Sequence, residues 1–178
     1  MCKSIFLSHE EAKEIESPEI GNAMFDIDVH ILVYDEPKWM IDRCTQSLKN
    51  QPVNIHIVQG FTEFPPLKGR AVGLEQGSAS YVSWVDPDDW CEPTMYAKLL
   101  DKLHSSNADI VFCWEYVYTD EGVHEHRQPH HGILTHRSNV PYIDNEYYSV
   151  YRFHKISWVE EFLYHHDRRA ATRRRRQK

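Results

Sequence analysis

In the stretch YVSWVDPDDW, from Tyr81 to Trp90, an apolar run stops at three acids, Asp86, Asp88 and Asp89, interrupted only by Pro87. Carboxylates crowded this closely repel one another unless a cation or hydrogen-bond donors compensate. A helix N-terminus uses one acid as a cap, and Asp89 stands where that role is available. Asp86 and Asp88, two residues apart, converge on a single hard cation when the backbone bends between them. Mg2+ or Mn2+ accepts such oxygen ligands and keeps positions open for phosphate oxygens.

Other chemistries that use acidic loops or phosphate loops do not fit. A calcium loop of the EF-hand type starting at Asp86 needs glycine at its sixth position, which is Cys91. An aspartyl-nucleophile phosphatase carries its acids after the first strand with a hydroxyl residue soon after, whereas here they follow the third strand and lack that hydroxyl. The chain has no GxxxxGK[ST], GxGxxG or GxSxG. The stretch VHEHRQPHHG sets His124 and His126 on one strand face and His130 and His131 in the loop beyond. With no acid or cysteine at a recognised spacing, it reads as a polar loop.

The elements that must position the acids follow from hydrophobic period. DIDVHILVYD reads as a buried strand near Val29–Tyr34, and VNIHIVQG as a second strand. Between them, EPKWMIDRCTQSLKN has Pro37 in a first helical turn and Met40, Cys44 and Leu48 on one face. A short helix is expected around Arg70–Gln76, and SYVSWV forms the third strand. EPTMYAKLLDKLHSS is the clearest helix, with Met95, Leu99 and Leu103 recurring every fourth residue. ADIVFCWEYVY gives a fourth strand, and TDEG turns it into the alternating VHEHR. QPHHGILTHRSNVPYIDNEYYS is expected to be irregular, KISWVEEFLYHH a late helix, and Glu10–Glu16 a short early one. The alternation of strand and helix predicts an α/β fold with a mostly parallel central sheet. Ligands of such sheets bind beyond the carboxyl ends of the strands, where Asp86–Asp89 fall.

With 178 residues, 41% hydrophobic and 12% aromatic, the chain has the size and composition of one globular domain. Residues 1–25 read as an N-terminal appendage, 26–166 as the domain and 167–178 as a basic tail. No apolar run approaches the ~20 residues of a membrane span, and the acidic N-terminal segment is unlike a signal peptide. Four cysteines without CxxC spacing suit reduced thiols and a cytoplasmic setting. The net charge is −7, yet residues 167–178 carry seven basic groups and one acid. That tail is either solvated or a grip for a polyanion such as nucleic acid.

VHILVYDEPKWMIDRCTQSLKNQ and GRAVGLEQGSASYVSWVDPDDW together resemble the GT-A glycosyltransferases of family 2, across roughly Asp28–Gly122. They match its opening strand, its aromatic-Asn-Glu loop with the helix that follows, and the strand carrying its D-x-D motif. The resemblance implies a metal-dependent transferase that moves a sugar from a nucleotide-sugar, with UDP-sugars expected first, to an acceptor hydroxyl, with inversion. It gives Asp86 the donor's ribose or sugar and a share of the metal, and Asp88 the metal, Mn2+ or Mg2+. Tyr34, Asp35, Gln59 and Arg70 would then contact the nucleotide. Asp35 replaces the usual Asn, Gln59 and Gly60 stand where an acid commonly closes the second strand, and Val72 lies near the place of a usual Asn. The family's late acidic pair with a following arginine matches His166-Asp167 and Arg173, so Asp167 is the implied base, with Glu160 and Glu161 as competitors. A histidine from the VHEHRQPHHG stretch or from His165–His166 is a possible further metal ligand in such sites. The acceptor is expected to be a glycan, or else a hydroxylated base in DNA, flipped out of the duplex. A non-catalytic module that binds a nucleotide-sugar or nucleic acid, and a metal-dependent nucleotidyltransferase, are the rival readings.

Overall fold

The computed structural model describes residues 25–59, 72–127, 131–142 and 155–169. The expected helix at Glu10–Glu16, Arg70, His130, Arg173 and nearly all of the basic tail lie outside the described residues.

Strand β1 (Ile27–Val33) pairs in parallel with β2 (Asn54–Gln59) on one side and β3 (Tyr81–Val85) on the other. The sheet continues through β7 (Ile133–His136), β5 (Ile110–Thr119), β8 (Ile156–Asp167) and β4 (Trp90–Cys91), in the order β2-β1-β3-β7-β5-β8-β4. Strand β6 (Gly122–His126) forms a hairpin with β5 off that path. The sheet is parallel from β2 to β3 and again between β5 and β8, while β7, β4 and β6 are antiparallel.

Helix α1 (Lys38–Leu48) buries Met40, Cys44 and Leu48, and helix α2 (Met95–Ser106) buries Met95, Tyr96, Leu99 and Leu103. Apart from Met40, both stripes pack into one cluster with Ile27, Val29, Ile31, Val85 and Cys113. Burying such a side chain is worth about 1.5–3 kcal/mol, so the stripes hold both helices to the sheet. Asn107 ends α2 in the left-handed conformation at φ 48°. The backbone N–H groups of Asn107 and Ala108 there satisfy the carbonyls of His104 and Leu103. Residues 72–75 form one helical turn where the short third helix was expected. Among the described residues no helix is long and apolar enough to cross a membrane.

Two expectations fail. The segment ILTH, expected to be irregular, is strand β7, and KISWVEEFLYHH is strand β8 rather than a helix. The second error has a geometric cause. Along β5 and β8, Cys113 faces Val159, Trp114 faces Phe162 and Glu115 faces Tyr164, with register shifts between each pair. Bulges therefore insert extra residues into β8 and break its two-residue alternation. The buried apolar positions become Val159, Leu163 and Tyr164, a spacing that imitates a helical turn.

Candidate active site

Strands β1, β2 and β3 run the same way, so their carboxyl ends share one edge of the sheet. Tyr34 and Asp35 follow β1, Gln59 ends β2, and Asp86 follows β3. The ring of Tyr34 is exposed, and its backbone N–H donates to Glu36 Oε2 at 2.7 Å.

After β3 the chain turns at once, with the N–H of Asp89 donating to the carbonyl of Asp86 at 3.0 Å. This turn brings carboxylate oxygens of Asp86, Asp88 and Asp89 within 4.8 Å of one another. Asp89 does not cap α2, whose N-cap is Thr94. It is buried instead, accepting from the hydroxyl of Tyr164 at 2.7 Å and from the backbone N–H of Asp167 at 2.8 Å. Burial, with the charge of Asp86 next, pushes its proton affinity well above the usual carboxylate range. Asp86, by contrast, is open to solvent.

Two histidines face these acids. Nε2 of His131 lies 3.7 Å from Asp86 Oδ2, and its ring stacks on Tyr164 with centroids 5.5 Å apart. Its Nδ1 meets Glu115 Oε2 at 3.0 Å and His166 Nδ1 at 2.9 Å. Glu115 also accepts from His126 Nδ1 at 2.9 Å. Burial alone would lower the pKa of His131. The bond to Glu115 and the charges of Asp86 and Asp89 outweigh it and raise the ring to about 9. His166 is pushed down to about 4 by burial and then by the neighbouring His131.

Asp167 closes the site at the end of β8. Arg169 donates to its two oxygens at 2.8 and 2.9 Å, and Arg43 reaches Oδ2 at 3.4 Å. Burial alone would raise this carboxyl, but the two arginines hold it below its ordinary value and keep it ionised. Arg43 also bonds the carbonyl of Asp88 and lies over the ring of Trp90, 4.0 Å from its centroid. Helix α1, the acidic turn and β8 thus meet on one guanidinium. Glu160 and Glu161 lie elsewhere, beside Lys98 and Trp158, and Glu161 is ion-paired with Lys98.

A match to the family described as Glycosyl transferase family 2 spans residues 66–175, which contain the acidic turn, His131, His166 and Asp167. The chain belongs to glycosyl transferase family 2. The chain also superposes on solved structures of S. aureus TarS. With TarS 1–349 the TM-score is 0.61 at 15% identity, over 79% of this chain and 60% of that one. With the complex of TarS and UDP-GlcNAc it is 0.63 at 14% identity, over 80% and 58%. The shared architecture is the GT-A fold, and the chain spans about 60% of the TarS 1–349 chain. No curated protein matches the chain.

The contributions of Glu115, Arg43 and Tyr164 escaped the sequence reading. Glu115 left one signal, a single acid inside the apolar strand IVFCWEYVY. Arg43 and Tyr164 left none, because each is an ordinary residue of its element and meets the acids only through the fold.

Proposed function

We propose that this glycosyltransferase moves a sugar from a nucleotide-sugar, a UDP-sugar first, to a hydroxyl of an acceptor glycan with inversion at the anomeric carbon. The observation that carries the reading is the convergence of Asp86, Asp88 and Asp89 beside Asp167 within a family 2 domain. The structures of TarS with UDP-GlcNAc and with UDP support the choice of donor.

Three carboxylates within reach of one another, one of them buried, form an oxygen donor set that fits a divalent cation such as Mn2+ or Mg2+. Asp86 and Asp88 are the residues that would hold it. When bound, it supplies neutralisation of the charge that develops on the departing diphosphate. Tyr34, Asp35 and Gln59 take the nucleoside at the ends of β1 and β2, with Arg70 as a donor to the phosphates. Asp86 also hydrogen-bonds the ribose or the sugar.

Asp167 is the base of this reading, since its backbone bonds Asp89 while Glu160 and Glu161 line a different surface. Its arginine partners keep it ionised, the form that accepts a proton. The acceptor oxygen attacks the anomeric carbon from the face opposite the diphosphate. Its proton passes to Asp167, and the bond from sugar to diphosphate oxygen breaks with the electron pair leaving on the nucleotide.

The test is thermal unfolding of the chain with UDP-, GDP-, CMP- and dTDP-sugars, each with and without Mn2+. A donor at about 100-fold over its Kd stabilises by about 2.7 kcal/mol, a rise in Tm on the order of 5–10 °C for a chain of this size. The rise is expected with a UDP-sugar and Mn2+ and is lost in Asp88→Ala. No metal-dependent rise with any donor sinks the reading. A rise without release of nucleotide over hours in the presence of glycan acceptors leaves a binding module instead.

A further inference from the structure

Among the described residues, two large aromatic side chains stand open to solvent, Tyr34 at 51% and Trp39 at 53%. A single exposed apolar side chain is ordinary. These two are set apart by their place. Tyr34 directly follows β1 and Trp39 opens α1, so both lie at the edge of the sheet that carries the acidic turn. Asp42 and Arg43 come three and four residues after Trp39 and share its side of the helix. The guanidinium of Arg43 lies over the Trp39 ring, 5.5 Å from its centroid, and reaches Asp167 Oδ2 at 3.4 Å. One guanidinium therefore stands between the indole and the carboxylate proposed as base. Its support is fixed. Arg43 is also held by the carbonyl of Asp88 and lies 4.0 Å from the centroid of Trp90. Trp90 stacks on His165, 7° from parallel, and the nitrogens of that histidine meet the hydroxyl of Tyr118 at 3.0 Å and Glu92 at 2.8 Å. A flat apolar surface held in place beforehand loses little freedom when a ligand settles on it.

We infer that the open face of Trp39 is the platform on which a sugar ring of the acceptor stacks, with Arg43 at its rim, so that Trp39 sets the affinity for a glycan acceptor and takes no part in binding the donor. The inference rests on the proposed reading of Asp167 as base and of a glycan as acceptor. A pyranose has an apolar face of C–H groups and a rim of hydroxyls. An indole with charged neighbours matches both, the ring packing on the face and the charges bonding the rim. The charges around Trp39 cancel in pairs, Lys38 with Asp42 at 2.7 Å and Arg43 with Asp167 at 3.4 Å. Hydroxyls find donors and acceptors in such a setting, whereas a phosphate chain finds no net attraction. The platform therefore suits a neutral glycan over a nucleic acid.

The full chain is mixed with tetrasaccharides of glucose, N-acetylglucosamine and galactose, and saturation-transfer NMR records which sugar protons receive magnetisation from the aromatic rings. Transfer to the C–H protons of at least one tetrasaccharide is expected. Trp39→Ala should weaken that binding by about tenfold or more, the effect of losing an aromatic anchor. Trp39→Phe should retain part of it. Ile156→Ser, at the end of β8 remote from Asp167, should leave it unchanged. The metal-dependent rise in Tm with UDP-GlcNAc should be equal in all three variants, and in turnover Trp39→Ala should raise the acceptor KM alone. Circular dichroism checks folding, and if Trp39→Ala does not fold, the partial loss in Trp39→Phe decides. No transfer to any of the tetrasaccharides, unchanged sugar binding or acceptor KM in the Trp39 variants, or a loss confined to UDP-GlcNAc overturns the inference. So does transfer to the bases of a single-stranded DNA oligonucleotide in place of the sugars. Sugar binding that depends on Trp39 without release of nucleotide leaves the platform standing while the transfer reading falls.

Discussion

Asp28 shows how a single side chain can organise the edge of the sheet. It is 1% exposed and accepts from Asn54 Nδ2 at 3.0 Å, His56 Nε2 at 2.9 Å and the backbone N–H of Ala79 at 2.9 Å, and it is ion-paired with Arg137. Arg137 in turn donates to the carbonyls of Ala79 and Leu74 at 2.7 and 2.8 Å. Burial alone would raise the pKa of Asp28, but the bonds from His56, Ala79 and Asn54 outweigh it and hold the carboxyl below its ordinary 3.8. A carboxyl depressed by folding stabilises the fold above its unfolded pKa and loses that contribution as pH falls through the folded value. Asp28→Asn should therefore cost about 1–3 kcal/mol at pH 7, the effect of stripping a charged partner from a buried network. It should also flatten the loss of stability below about pH 4. Urea unfolding at pH 7 and at several acidic values measures both. None of this network was legible in the sequence. Asp28 reads there as one polar position in an alternating strand, and its partners stand from 26 to 109 positions away.

At the scale of elements, the sequence was clear wherever a stripe stayed regular. Met40, Cys44 and Leu48, and Met95, Leu99 and Leu103, were read as buried helical faces and are buried. The crowding of three acids after an apolar strand was visible in the sequence, but the contacts that hold their turn come from Arg43, Tyr164 and Asp167, far away in the chain. Strand β8 was not legible, because its bulges trade a strand's period for a helix's. The loop before β7 hides another requirement. Gly132 has φ +62°, and a Cβ there would meet Cys113 Sγ at 2.6 Å and Tyr164 Cβ at 3.1 Å. Gly132→Val should lower stability by about 1–3 kcal/mol through the left-handed backbone and the clash together. Since Gly132 follows His131, the variant should also displace that ring from Glu115. Thermal unfolding reads the first effect, and the shift of the His131 ring resonances reads the second.

The whole molecule joins a parallel half, β2, β1 and β3, to a second half in which β5 and β8 carry the longest ladder. The first half followed from the sequence, because strand, helix and strand recur there at ordinary lengths. Of the second, strand β5 and its hairpin with β6 were also read, but the pairings of β7 with β3 and of β8 with β4 leave no local pattern. Amides of β1 and β3, which are almost wholly buried, should exchange hydrogen only through global unfolding. Those of β6, whose residues are nearly all exposed, should open at far lower cost. Hydrogen exchange followed by mass spectrometry measures this gradient, and equal protection in β6 and β1 would contradict it. One contact spans these scales. Arg43 holds the carbonyl of Asp88 and the carboxylate of Asp167 at once, and it projects from a helix whose seat is set by Met40, Cys44 and Leu48. The gauge of the site, the gap between its acidic turn and its closing carboxylate, is therefore inherited from hydrophobic packing on the far side of that helix. A methyl group lost there would be felt where the chemistry is done.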